Sequence, residues 1–245
     1  WIWIPEWEKE DQTVTHLARF RKRFTLLENF AAIRVRVSAD SRYKLYVNGK
    51  LAEIGPCKGD RFIWYYDEVD LTPFLKSGEN VLAVEVLRYP LTGWGNHSII
   101  RTAVPGFYLK TITGESNLDA DETWHCSLES DFQIISEFPW FAQLHILEKR
   151  VLDVSFAGWK QCDYDDSAWS SAKKYPIEQV GLTVSPGNLN PRPIPAMNKL
   201  PRTFQGQYGN IMSKTPAAQW TGMLNGKEIV QIAPHSHEMV EIDAG

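Results

Sequence analysis

The side chains best suited to recognising a ligand lie between residues 89 and 98, in the run Y-P-L-T-G-W-G-N-H-S. Gly93 and Gly95 flank Trp94 and leave the backbone free to present an indole, with Asn96 and His97 beside it as hydrogen-bonding groups. An aromatic face next to a carboxamide and an imidazole suits carbohydrate, whose C–H faces stack on rings while its hydroxyls need donors and acceptors. Loops on a rigid scaffold carry such sites disproportionately. The competing reading is an indole tucked under its own loop. A second group is Trp64-Tyr65-Tyr66, where successive strand residues face opposite sides. Trp64 and Tyr65 either offer a stacking platform, with Arg61 or Asp60 bonding hydroxyls, or serve as core on both faces.

Three further clusters are weaker. Asp163, Asp165 and Asp166 bring carboxylates together as a hard cation such as structural Ca2+ requires, but Ala168 and Lys174 stand where a helix–loop–helix calcium site carries glycine and glutamate. Asp166-Ser167 reads better as a local cap, so no cofactor is expected. His235 and His237 are two apart on a predicted strand and share a side, yet no third ligand is near in sequence, and a solvated strand is the simpler reading. Asn96-His97-Ser98 fits the N-glycosylation acceptor pattern. Neither a G-x-x-x-x-G-K-[ST] phosphate loop nor a G-x-S-x-G nucleophile elbow is present. Cys57, Cys126 and Cys162 lack metal-like spacing, and both a disulfide plus one thiol and three separate thiols remain open.

The elements that must position these groups are strands. Ile33, Val35 and Val37 alternate with Arg34 and Arg36, as a half-buried strand requires. Tyr43, Leu45 and Val47 repeat the pattern up to Asn48-Gly49, a hairpin signal because both turn residues take φ > 0. Gly78-Glu79-Asn80 then turns into a strand with Leu82, Val84 and Val86 on the buried face and Glu85 on the exposed one. No amphipathic helix of ordinary length is legible between residues 15 and 115, so the fold class is all-β. A second segment opens at Asp121 and closes with W-K-Q-C-D-Y-D-D-S-A-W at Trp159 to Trp169, read as a continuation of the same sandwich. Residues 185–202 carry prolines at 186, 191, 193, 195 and 201, which predicts an extended crossing rather than sheet or helix. Thr221 to Ile242 reads as β-rich, with a second hairpin turn at Asn225-Gly226. The expected division is therefore a β-sandwich over 1–184, a linker over 185–202 and, over 203–245, the cut-off start of a further β-sandwich domain.

Composition narrows the function classes. Ten Trp, nine Tyr and eleven Phe among 245 residues favour both β-structure and contact with sugars. A net charge of −4 with both signs interleaved argues against nucleic acid, which selects a basic face. No apolar run is long enough to cross a bilayer as a helix, so no membrane insertion is expected. The first residues, W-I-W-I-P-E-W, lack the basic start and small-residue cleavage site of a signal peptide.

Taken in order, the motifs resemble a known family. R-F-R-K-R-F at Arg19 to Phe24, A-D-S-R-Y-K-L-Y-V-N-G at Ala39 to Gly49, Gly55-Pro56, Y-D-E-V-D-L-T at Tyr66 to Thr72 and G-E-N-V-L-A-V at Gly78 to Val84 match the accessory sandwich of glycosidases. Asp121 to Trp124, Gly158-Trp159, Asp165 to Trp169 and P-R-P-I-P at Pro191 to Pro195 narrow the likeness to bacterial α-L-rhamnosidases of glycoside hydrolase family 78. The resemblance implies a jelly-roll or galactose-binding-like β-sandwich from the N-terminal accessory region of such an enzyme. It also implies a periplasmic or extracellular setting, and a bacterial source in which the glycosylation pattern has no meaning. Catalysis in that family is implied to reside in a separate (α/α) barrel further along the chain, where one carboxylic acid protonates the glycosidic oxygen and another activates water. This chain has no run of long helices to build that barrel, and no Asp/Glu pair in it is nominated as catalytic. The expected partners are a rhamnose-containing glycan and the C-terminal catalytic domain of the same parent chain. A stand-alone lectin-like module and a purely structural spacer are the alternatives.

Overall fold

The computed structural model describes residues 1–11, 13–57, 59, 63–89, 106–114, 116–129, 132–136, 146–150, 156–175, 189–197, 204 and 206–243. The chain divides into two compact units, Trp1–Pro193 and Ile194–Gly245, a division that falls inside the proline-rich stretch.

The first unit contains β1 (Ile2–Trp3), β2 (His16–Leu26), β3 (Arg34–Asp40), β4 (Arg42–Val47), β5 (Lys50–Gly55), β6 (Trp64–Asp70), β7 (Gly78–Arg88) and β8 (Gly106–Thr113). Short strands follow: β9 (His125–Leu128), β10 (Phe132–Ser136), β11 (Ile146–Arg150), β12 (Ser170–Ser171), β13 (Lys173–Lys174) and β14 (Leu189–Pro191). One sheet has the order β13-β1-β8-β3-β6-β14 and the other β12-β9-β2-β7-β4-β5, while β10 and β11 pair by themselves. The first eight strands thus run 1-8-3-6 in one sheet and 2-7-4-5 in the other, the arrangement of a long antiparallel hairpin wound into a jelly roll. The fold of this unit is an all-β jelly-roll sandwich.

Period-2 alternation builds its core. Val35, Val37 and Ala39 of β3, Phe107 and Leu109 of β8, and Val69 of β6 face inward from one sheet. Ala18 and Phe20 of β2, Tyr43, Leu45 and Val47 of β4, and Leu82, Val84 and Val86 of β7 meet them from the other. Trp3, Trp7 and Trp124 belong to the same core; Trp3 meets Phe20 at 5.6 Å between ring centres and Phe107 meets Trp124 at 5.2 Å. Burial of this continuous apolar layer is the main force holding the two sheets together.

The outward face of β2 departs from the simple pattern. Arg19 and Arg21 point away from the core yet are buried, because residues 156–169 fold back over this sheet. Arg19 pairs with Glu129 at 2.6 Å and lies 3.8 Å over the Phe156 ring. Arg21 Nε donates to Asp166 Oδ2 at 2.9 Å, and its remaining N–H groups reach the carbonyls of Trp159, Gln161 (3.1 Å) and Tyr164 (3.3 Å). Glu85, expected to be exposed, is 8% exposed and lies 3.8 Å from Lys44. The alternation assigned its face correctly, but cover supplied from elsewhere in the chain removes that face from solvent.

Two further expectations are corrected. Leu189–Pro191, within the stretch read as non-sheet, forms β14 and pairs in parallel with Trp64, Tyr65 and Tyr66 of β6. Proline is accommodated because, among the described residues, β14 is the edge strand of this sheet. In the second unit, Ala217–Leu224 is a helix, α1, between β15 (Gly206–Met212) and β16 (Met239–Asp243), which pair antiparallel. Asn225-Gly226 is therefore the end of α1 and not a hairpin turn, with Gly226 at φ +69°. A glycine with positive φ serves a helix terminus as readily as a turn. Trp220 of α1 is buried and donates its indole N–H to Ser213 Oγ at 2.8 Å. His235 and His237 precede β16 in irregular chain, with His235 at φ 57°, so the strand that was to align them is absent there.

Candidate functional site

Asn48 and Gly49 take φ values of 49° and 80°, the geometry a two-residue hairpin needs, and link β4 to β5. Gly49 is favoured by its φ of +80°, a conformation that L side chains rarely adopt. The Asn48 side chain reaches away from its own hairpin. Its amide donates to Phe74 O at 3.0 Å and Asn80 Oδ1 at 2.8 Å, while its oxygen accepts from Val81 N at 3.0 Å and from the Cys162 thiol at 3.3 Å. Asn80, fully buried, donates to Lys76 O at 2.7 Å and Gly78 O at 2.9 Å and accepts from Lys76 N at 3.1 Å. Two asparagines thus satisfy each other and pin the main chain from Phe74 to Gly78 against the sheet.

The result is a cleft of about 670 Å³ lined by Asn48, Lys50, Pro73 to Lys76 and Gln161 to Asp163. Its size is that of sites for small organic ligands. Pro73, Phe74 and Leu75 supply the apolar part of its lining, and Lys50, Lys76, Gln161 and Asp163 supply polar groups. Three loops build it: the β4–β5 turn, the 3-10 turn at Thr72–Phe74, and the segment held down by the Arg21 and Asp166 pair. Burial works to raise the Asp166 pKa, but Arg21, with Arg23 and His125, outweighs it and holds the carboxyl below the usual carboxylate range. Asp165 Oδ1 accepts from Ser167 N at 2.9 Å, so the local cap expected of Asp166 is made by its neighbour. The three cysteines are separate thiols.

The arginine of P-R-P-I-P is structural as well. Arg192 donates to Ile54 O at 3.4 Å and its Nε bonds Asp67, which also accepts the Tyr43 hydroxyl inside the sandwich. Burial first, then the Asp67 charge, pushes the Tyr43 pKa well up.

Of the residues nominated from sequence, Trp64 and Tyr65 are described, and they face opposite sides of β6. Trp64 is 7% exposed and meets Trp1 edge-on at 6.0 Å, beside Tyr108 and away from the cleft. Tyr65 is half-buried and its carbonyl accepts from Ser38 Oγ at 2.7 Å. Tyr66 is buried beneath the Arg36 guanidinium, 4.8 Å from its ring centre. Arg61, Asp60, Trp94, Asn96 and His97 lie outside the described residues. Arg88, the last residue of β7, is buried and paired with Asp40 at 3.0 Å. Phe74, Lys50 and Gln161 were not singled out from sequence. The available signal was the pair Asn48 and Asn80, polar residues at strand ends whose side chains must find partners once buried.

Comparison with known proteins gives a consistent picture. No protein-family model matches the chain. It is 24% identical over 176 residues to an α-L-rhamnosidase of Streptomyces avermitilis, a match covering 71% of this chain and 14% of that protein. The solved GH78 family rhamnosidase of Bacillus sp. GL1 superposes with a TM-score of 0.63 at 23% identity, over 87% of this chain and 22% of that one. The α-L-rhamnosidase of Aspergillus terreus gives 0.51 at 16% identity, over 80% of this chain and 23% of that one. The chain is therefore similar over most of its length to one part of α-L-rhamnosidases, and it spans less than a quarter of their length.

Proposed function

We propose that this chain is a non-catalytic accessory β-sandwich of an α-L-rhamnosidase-like glycoside hydrolase, and that it holds carbohydrate in the cleft between Phe74 and Gln161. The observation that carries the reading is the cleft itself, whose apolar wall is locked by Asn48 and Asn80 before any ligand arrives. A fixed wall loses little entropy on binding. Phe74 offers a ring for a sugar's C–H face, and Lys50, Gln161 and Asp163 offer donors and acceptors for hydroxyls. A non-catalytic role is supported by the carboxylates. Glycoside hydrolysis takes two carboxyl groups across the bond, and Asp163 is the single one among the residues lining the cleft. Asp40, Asp67, Asp166 and Glu129 are each held by an arginine instead.

Calorimetric titration with L-rhamnose and rhamnose-containing oligosaccharides tests this, run beside an assay for hydrolysis of an aryl α-L-rhamnoside. Saturable binding that Phe74→Ala removes, without turnover, is the expected result. Turnover by the isolated chain would overturn the non-catalytic reading. Binding untouched by Phe74→Ala would move the site elsewhere, and absence of binding would leave only a structural role.

A further inference from the structure

Recognition in this cleft must fall on a small set of side chains. All four hydrogen-bonding capacities of the Asn48 carboxamide are spent on Phe74, Asn80, Val81 and Cys162, so it has none left for a ligand. Lys50, Lys76, Gln161 and Asp163 remain. Lys50 and Lys76 form no ion pair and no side-chain hydrogen bond among the described residues, whereas Lys22, Lys44 and Lys110 each lie against a carboxylate. Two ammonium groups against one carboxylate leave a surplus positive charge at the cleft of a chain whose net charge is −4. An ammonium offers donors only, and a sugar hydroxyl accepts from it about as well as water does, so a neutral sugar gains little net affinity from either lysine. A carboxylate in the ligand converts them into charge-assisted partners.

From this we infer that the cleft selects acidic saccharides, those in which a uronic acid neighbours the rhamnose, over neutral ones. The inference rests on the carbohydrate reading given above and adds the ligand class to it. Phe74 stacks the ring, and Lys50 and Lys76 hold the carboxylate. The lysines sit at a cleft open to solvent, so the preference is electrostatic and screened by salt.

The test uses the whole 245-residue chain and two probes that differ by one group: α-L-rhamnosyl-glucose and α-L-rhamnosyl-glucuronic acid, titrated calorimetrically at about 20 mM and about 500 mM NaCl. The acidic disaccharide is expected to bind roughly tenfold more tightly at low salt, the scale of two partly exposed charge contacts. That preference should vanish in Lys50→Gln/Lys76→Gln and shrink at high salt, while salt should leave the affinity for the neutral probe unchanged. Equal affinity for both probes, lost in Phe74→Ala, would overturn the charge selectivity and leave the carbohydrate reading standing. A preference that survives the double lysine variant would also overturn it, by placing the carboxylate elsewhere. No binding of either probe would overturn both.

Discussion

Replacing Asp166 by asparagine removes the charge that holds residues 156–169 over the second sheet. Arg21 is fully buried and Asp166 is 3% exposed, with Nε and Oδ2 2.9 Å apart. The asparagine retains one acceptor oxygen, but its amide now faces one of the two guanidiniums that Asp166 joins, donor against donor. Breaking a buried ion pair by removing one partner costs about 3–5 kcal/mol. Arg21 keeps the carbonyls of Trp159, Gln161 and Tyr164, which offset part of that loss, and Arg23 is 54% exposed and adds little. The expected loss is therefore near the lower end, about 3 kcal/mol, or a fall of about 6–12 °C in Tm for a domain of this size. Thermal unfolding followed by near-ultraviolet circular dichroism reads it directly, because Trp159 and Trp169 lie 6.1 Å apart in the displaced segment. The double variant Arg21→Met/Asp166→Asn should lose less than the sum of the singles, since the unpaired guanidinium has gone with its partner. The pH dependence follows from the lowered carboxyl of Asp166. A depressed folded-state pKa contributes stability that is complete above the unfolded value near 3.9 and is lost as pH falls through the folded one. The gap between wild type and Asp166→Asn should thus be constant near neutrality and narrow below about pH 4. An Asp166→Asn variant melting within about 2 °C of wild type at pH 7 would refute the reasoning, because a buried guanidinium cannot lose its counter-charge so cheaply.

Three other outcomes are expected. Asn80→Ala strands the Lys76 and Gly78 carbonyls beneath the cleft and should cost about 2–3 kcal/mol in urea unfolding with an unchanged slope, alongside weaker sugar binding. Arg192→Ala leaves Asp67 and the Tyr43 hydroxyl without their cation and should destabilise by about 3–5 kcal/mol. In spectrophotometric titration it should also move the already raised Tyr43 ionisation further up, since Arg192 is the group that favours the phenolate. Burial pushes the Cys126 thiol up to about 12, so a disulfide reagent at pH 8 should label the half-buried Cys57 and Cys162 and reach Cys126 only after denaturation.

Much of the sandwich is legible residue by residue, because period-2 alternation is a local property that the pleat converts directly into faces. Val35 and Val37, Tyr43, Leu45 and Val47, and Leu82, Val84 and Val86 sit on the inner faces that their spacing assigns. Asn48-Gly49 marks the hairpin for the same reason, since both residues bear the required positive φ. The same dipeptide at Asn225-Gly226 misleads, with Asn225 at φ −92° and only Gly226 positive. Local chemistry specifies a left-handed glycine there but not which element it ends. Cover and partnership are decided elsewhere. Glu85 reads as solvent-facing from its own strand, and Arg19 and Arg21 alternate with the inward-facing Ala18 and Phe20, yet all three are buried by chain more than a hundred residues away or by a neighbouring strand. Arg192 reads as one residue of an extended crossing until Asp67 and Tyr43 give it a place. The cleft is the clearest case: Asn48, Phe74 and Gln161 come from three distant loops, and no periodicity links them. The sequence by itself determines which faces are apolar and where the chain turns. Only the tertiary structure decides which polar side chains meet, because a buried charge or amide is stable solely beside the partner that folding brings to it.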